Sequence, residues 1–95
     1  MHEKEEKTAV VTVVGKDTFG IIARVSQILF ENKVNIKDIS QTIMEDIFTM
    51  IMIVDLSQAS ADIKDLSHQF EELGKKIGLS ILIQHADLFN AMHRI

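Results

Sequence analysis

Apolar residues change their period along this chain, and the changes mark its elements. Thr8 to Val14 is β-branched or apolar at nearly every position, as in a strand buried on both faces. Ile21, Ile22, Val25, Ile28 and Leu29 then recur at helical spacing up to about Asn32. Asn35 to Met44 keeps strand propensity but carries more polar residues, as an edge strand does. Glu45-Asp46 reads as a tight turn, and Ile47 to Asp55 is again apolar on both faces, which predicts a central strand. Ser60 predicts a helix N-cap, with Asp62 in the first turn near the positive helix end. Ile63, Leu66, Phe70, Leu73 and Ile77, spaced by three and four, predict an amphipathic helix ending near Gly78. Leu79 to His85 alternates Leu79, Ile81 and Ile83 against Ser80 and Gln84, the pattern of a fourth strand. The closing DLFNAMHRI predicts a short helix with Leu88, Phe89, Met92 and Ile95 on its apolar side.

The order βαββαβ, with that short C-terminal helix, predicts an α+β, ferredoxin-like fold. Two right-handed crossovers give a four-stranded antiparallel sheet in the order 4-1-3-2, with both main helices on one face. Residues 1–7 read as a polar N-terminal tail and residues 8–95 as a single domain. Strands 1 and 3 are apolar on both faces, yet the helices cover only one. Met50, Met52 and Val54, or their alternates Ile51 and Ile53, are then left as an apolar patch. Either the C-terminal segment or a second subunit covers it. At least a homodimer is expected, with a higher oligomer open, since the polar edge strand can also pair edge to edge.

Composition narrows the function classes. Of the 95 residues, 46% are hydrophobic and 25% charged, as in an ordinary folded domain. There is no cysteine, hence no disulfide framework and no thiolate chemistry. The charged opening MHEKEEKTAVV is unlike a signal peptide, and no apolar run approaches the ~20 residues of a membrane span. A cytoplasmic protein with no membrane partner is expected. The net charge is −4 and the basic residues are scattered, which speaks against nucleic-acid binding. The RNA-binding version of this fold also needs stacking aromatics on strands 1 and 3, where only Phe48 is found.

Reactive groups are sparse. His2, His68, His85 and His93 lack metal-ligand spacing, and the CxxC of ferredoxin-like metal chaperones is absent, so no metal and no cofactor are expected. No serine has an elbow motif or a neighbouring base; Ser26 reads as the solvent side of its helix. An acylphosphatase-like reaction needs an arginine in the first loop, whereas Arg24 falls inside the helix. A catalytic function is not expected.

The first loop, GKDTFG, is too short for a dinucleotide fingerprint or a P-loop. Two readings of it stand. In one it only turns a strand into a helix: Gly15 ends the strand, Asp17 or Thr18 caps the helix, and Gly20 allows close helix–sheet packing. In the other, free amides at the helix start attract a carboxylate while the Asp17 carboxylate accepts from an ammonium group, which fits an amino-acid zwitterion.

The stretch VVGKDTFGIIARVSQILFENKVNI resembles the signature of ACT domains, small βαββαβ modules that bind amino acids and regulate metabolism. Their loop runs Asp, any residue, Pro, Gly, with an asparagine opening strand 2; here these features fall at Asp17, Gly20 and Asn35. DISQTIMEDIFTMIMIVDLS and QHADLFNAMHRI extend the resemblance to the stand-alone ACT proteins of the UPF0237 family, and more distantly to the ACT repeats of the glycine-cleavage-system regulator. The resemblance implies a side-by-side dimer joined through strand 2, with an amino acid or similar small metabolite at the joint and a regulatory protein as partner. It also implies a ligand-binding set of Gly15, Lys16, Asp17, Thr18, Phe19, Gly20, Ile21, Asn35 and Ile36, with Asn35 supplied by the neighbouring subunit. Phe19 stands where the family usually has proline, and Gly15 where a serine-binding relative has a polar ligand-contacting side chain. Some ACT domains bind nothing and only dimerise, so a ligand-free interaction module is the alternative.

Overall fold

The computed structural model describes residues 7–92. Its elements are β1 (Thr8–Lys16), α1 (Ile21–Glu31), β2 (Asn35–Met44), β3 (Ile47–Asp55), α2 (Ile63–Ile77), β4 (Leu79–His85) and α3 (Ala86–Met92). The four strands are antiparallel in the order β2-β3-β1-β4, so the two apolar strands are central, as expected from the sequence. Of the apolar side expected for α3, Leu88 and Phe89 are described; the side chain of Met92 and all of Ile95 lie outside the described residues, as do residues 1–6 of the N-terminal tail.

Paired residues of an antiparallel sheet share a face. Ala9, Val11 and Val13 of β1 and Phe48, Met50, Met52 and Val54 of β3 point toward the helices and are buried. They pack with Ile21, Val25 and Leu29 of α1 and with Leu66 and Phe70 of α2. Met50 and Met52 are therefore core, and the alternates Ile51 and Ile53 lie on the opposite face. On that opposite face Val10 is buried; α3 contacts β1 and β4, and its Leu88 lines a pocket with Ile63 and His68 of α2 and Ile83 of β4. Val14, Met44, Ile47 and Leu82 on the opposite face stay substantially exposed, so much of it is open among the described residues. No described helix is long and apolar enough to cross a membrane.

Local chemistry explains the boundaries, with two corrections to the expected caps and one to the role of a glycine. Asp62, not Ser60, is the N-cap of α2: its carboxylate accepts from the Asp65 amide at 2.9 Å. Ser60 instead donates its own amide to the Asn32 carbonyl, 2.9 Å away. The N-cap of α1 is Gly20 at φ 79°, with no side-chain cap, so neither Asp17 nor Thr18 serves. Gly20 is needed for that left-handed backbone rather than for close packing, since a Cβ there would find only Arg24 Nε, at 3.9 Å. The close approach belongs to Gly15, which lies within β1, paired with Phe48 and Leu79, and a Cβ on it would strike the Leu79 side chain.

The end of α1 is a Schellman turn. Val34 donates to the Leu29 carbonyl at 2.9 Å and Lys33 to that of Phe30 at 3.1 Å, while Lys33 takes a left-handed φ of 59°. The Asn32 side chain donates from Nδ2 to the Ile28 carbonyl at 2.8 Å and to Gln69 Oε1 at 3.0 Å, tying the two helices together beside the turn.

Candidate functional site

The β1–α1 loop is held from below. The Asp17 amide donates to the Asp46 carbonyl at 2.9 Å, which fastens the loop to the tight β2–β3 turn. Glu45 in that turn has φ 59°, a conformation costly for a side chain bearing a Cβ. The first intrahelical bond of α1 runs from the Arg24 amide to the Gly20 carbonyl at 3.0 Å, so the amides of Ile21, Ile22 and Ala23 have no intrahelical acceptor. These amides and the Asp17 carboxylate give the loop end one partly positive and one negative pole.

Beside the loop lies an open pocket of 260 Å³. Asp17, Thr18 and Gly20 to Ala23 form one wall, and Gln41, Ile43 and Phe48 the other. Of the residues named from sequence, the pocket brings together Asp17, Thr18, Gly20 and Ile21. Lys16 is exposed at the strand end opposite Ile47, and Phe19 is 97% exposed, turned out to solvent. Asn35 and Ile36 are not near the loop of their own chain. Asn35 pairs with Asp55, which pairs with Thr8, whereas the loop follows Lys16 at the other end of β1. Eight residue steps along the strand separate the two ends, roughly 26 Å.

Sequence reasoning missed Gln41, Ile22, Ala23, Ile43 and Phe48 as pocket residues. A signal existed in β2. Ile36, Ile39, Gln41 and Ile43 share the helix-side face once the register shift between Ile36 and Asp38 is allowed for, and Gln41 is the one polar residue among them. Ser26, expected on the solvent side of α1, is half-buried and shares a row with Ile22 and Phe30. That row turns toward β2, because Arg24 and Ile28 on the other flank of α1 face α2 across the outer groove between the helices.

Electrostatics elsewhere are mild. The Ser57 amide donates to Asp55 Oδ1 at 2.9 Å and holds that carboxyl below the usual aspartate range, with the Ser57 side chain and nearby Lys37 and Lys7 adding to the effect. No group of His, Cys, Asp or Glu among the described residues is arranged to hold a metal ion.

Comparison with known proteins agrees with this architecture. The ACT domain family profile matches residues 7–84. The UPF0237 protein of Clostridium perfringens is 58% identical over 87 residues, covering 92% of this chain and 98% of that one. The UPF0237 protein of Methanococcus maripaludis is 52% identical over 89 residues, covering 94% and 99%. The structure of an ACT domain protein from Streptococcus pneumoniae superposes with a TM-score of 0.75 at 43% identity, over 90% of this chain and 97% of that one. The chain thus belongs to the ACT domain family, among its UPF0237 proteins.

Proposed function

We propose that this protein is a dimeric sensor module: two copies join along β2, bind a small amino acid or similar metabolite at the joint, and pass its presence to a regulatory protein. One observation carries the reading. The loop pocket opens at the β2 edge, while Asn35 stands at the far end of the same strand. Antiparallel pairing of two β2 strands brings each Asn35 toward the loop end of the other copy. The ligand carboxylate then meets the free amides of Ile21 to Ala23, and its ammonium group meets Asp17. Thr18 would form the rim, with Gly15 and Lys16 at the strand end that leads into the loop, and Ile36 of the second copy would arrive beside its Asn35.

The mechanism is linkage. A ligand shared by two copies stabilises the dimer, and ligand at 100 times Kd adds about 2.7 kcal/mol. For a domain of this size that raises Tm by roughly 10 °C or more. Isothermal titration against a panel of amino acids, with thermal denaturation in parallel, tests the reading. No heat and no Tm rise at millimolar concentrations would count against a ligand.

A second reading, a ligand-free interaction module, is favoured by the exposed apolar residues Val14, Ile47 and Leu82 on the open sheet face. Under it Asp17→Ala with Asn35→Ala leaves partner capture intact, and Ile51→Glu on the open face abolishes it. Loss of capture in the double variant would reject it.

A further inference from the structure

Resting on the reading that two copies join along β2, we propose the register of that joint: a two-fold axis through Gln41, with Ile39 of each copy opposite Ile43 of the other. The edge strand cannot pair along its whole length. Lys37 sits in a register shift between Ile36 and Asp38, and such bulges bend a strand and interrupt its ladder. The regular stretch is Asp38 to Met44, and its midpoint is Gln41.

The residues around that midpoint read alike in both directions: Ile39, Ser40, Gln41, Thr42, Ile43. A two-fold interface requires self-complementarity. Antiparallel pairing through Gln41 sets isoleucine on isoleucine and hydroxyl on hydroxyl. On the axis it sets an amide, with both donor and acceptor, against its own copy. A two-fold moved three residues toward the strand start would instead oppose Asp38 with itself, and like charges directly opposite are unfavourable.

Helix α1 repeats the symmetry independently. Ile22, Ser26 and Phe30 form its row toward β2, with the small residue in the middle. Ser26 lies roughly 7.5 Å along the helix from Ile21. Gln41 lies roughly 10 Å along the strand from Met44. Both therefore stand at similar depth from the loop end, and an axis through Gln41 passes between two α1 helices at Ser26, with Ile22 facing Phe30 of the second copy.

The exposures suit such a joint: Phe30 77%, Ile43 54%, Ile39 41% and Ile22 39%. With ~200 Å² for a phenylalanine and ~180 Å² for an isoleucine, they amount to roughly 400 Å² of apolar surface per copy. A stable interface buries ~800 Å² a side, a little over half of it apolar, so this stripe supplies most of the apolar share. The register also completes the pocket. Ile39 of the second copy closes the wall at Ile43, and its Asn35, three residues beyond the pair with Met44, arrives at the Glu45-Asp46 turn that anchors Asp17.

The chain has no cysteine, so single-cysteine variants report the register directly. Full-length Gln41→Cys, Ile39→Cys and Ile43→Cys are oxidised with copper-phenanthroline and run on non-reducing gels. Gln41→Cys is expected to give a linked dimer, because opposed Cα atoms ~4.5–5.5 Å apart fall within disulfide range. Ile43→Cys alone is expected to stay unlinked, its copies being ~13 Å apart along the strand, yet to link when mixed with Ile39→Cys. The mixed pair keeps the test decisive if Gln41→Cys misfolds. Linkage of Ile39→Cys or Ile43→Cys alone, without the mixed pair, overturns the register but leaves the β2 joint. Wild-type protein that sediments as a monomer at every concentration overturns the joint itself.

Discussion

Gly74→Ala sets two opposing effects against each other at one atom. In the interior of α2 a glycine costs roughly 0.8–1.0 kcal/mol relative to alanine, so helix propensity alone predicts a stabilised variant. The fold predicts the reverse. Gly78 closes α2 at φ 76°, its amide donating to the Gly74 carbonyl at 2.8 Å, and β4 begins at the next residue. The chain therefore doubles back under the last helical turn, and a Cβ on Gly74 would stand 2.5 Å from the Leu79 carbonyl oxygen. Carbon–oxygen contacts settle near ~3.3 Å or beyond, so the backbones must part by most of an ångström. Neither is free to move, since Leu79 is paired with Gly15 in the sheet and Gly74 is buried. Overpacking of this kind costs about 1–3 kcal/mol. Less the propensity gain, the variant should lose up to about 2 kcal/mol, and each kcal/mol is about 4–8 °C in Tm for a domain of this size. Thermal and urea denaturation measure it. A Tm raised by the full propensity gain, about 4 °C or more, would refute the reasoning, because the close approach of β4 to α2 would then carry no cost.

Other expectations follow from the same local features. Lys33→Gly should raise stability by about 0.5–1 kcal/mol, because the Schellman position at φ 59° disfavours a Cβ, and a lowered urea midpoint would count against it. Asp62→Ala should cost about 1 kcal/mol through the lost cap on the Asp65 amide, whereas Ser60→Ala should cost little; comparison of their urea midpoints separates the two assignments of the cap. Asp55 has a lowered folded-state pKa, so its contribution is complete above about pH 4 and is lost as pH falls through the lowered value. The Tm advantage of wild type over Asp55→Asn should accordingly narrow below about pH 4, and an advantage that persists at lower pH would exclude this cause.

The fold was legible because one chemical variable, the spacing of apolar residues, fixes which face of each element is buried. The two-faced apolar runs Thr8 to Val14 and Ile47 to Asp55 belong in the middle of a sheet whatever their contacts, and both are central. The loop was legible as a strand-to-helix turn, but the separation of Asn35 from it within one chain was not. What periodicity leaves open is every choice between near neighbours. Asp62 and Ser60 are both good caps by composition, and only the path of the chain decides, because the helix begins at Ile63 and places the Asp65 amide on the Asp62 carboxylate. Gly15 and Gly20 look interchangeable as turn residues, yet one is required by the Leu79 side chain and the other by a positive φ.

By itself, then, the sequence determined the elements and their order in the sheet, because each follows from local pattern. Only the tertiary structure decided that the bulge at Lys37 leaves a symmetric, pairable half-strand. It alone put Gln41 beside the loop and Asn35 at the far end of the sheet. Those are relations between residues distant in the chain, set by register and by the packing of one backbone on another, and no single stretch of sequence carries them.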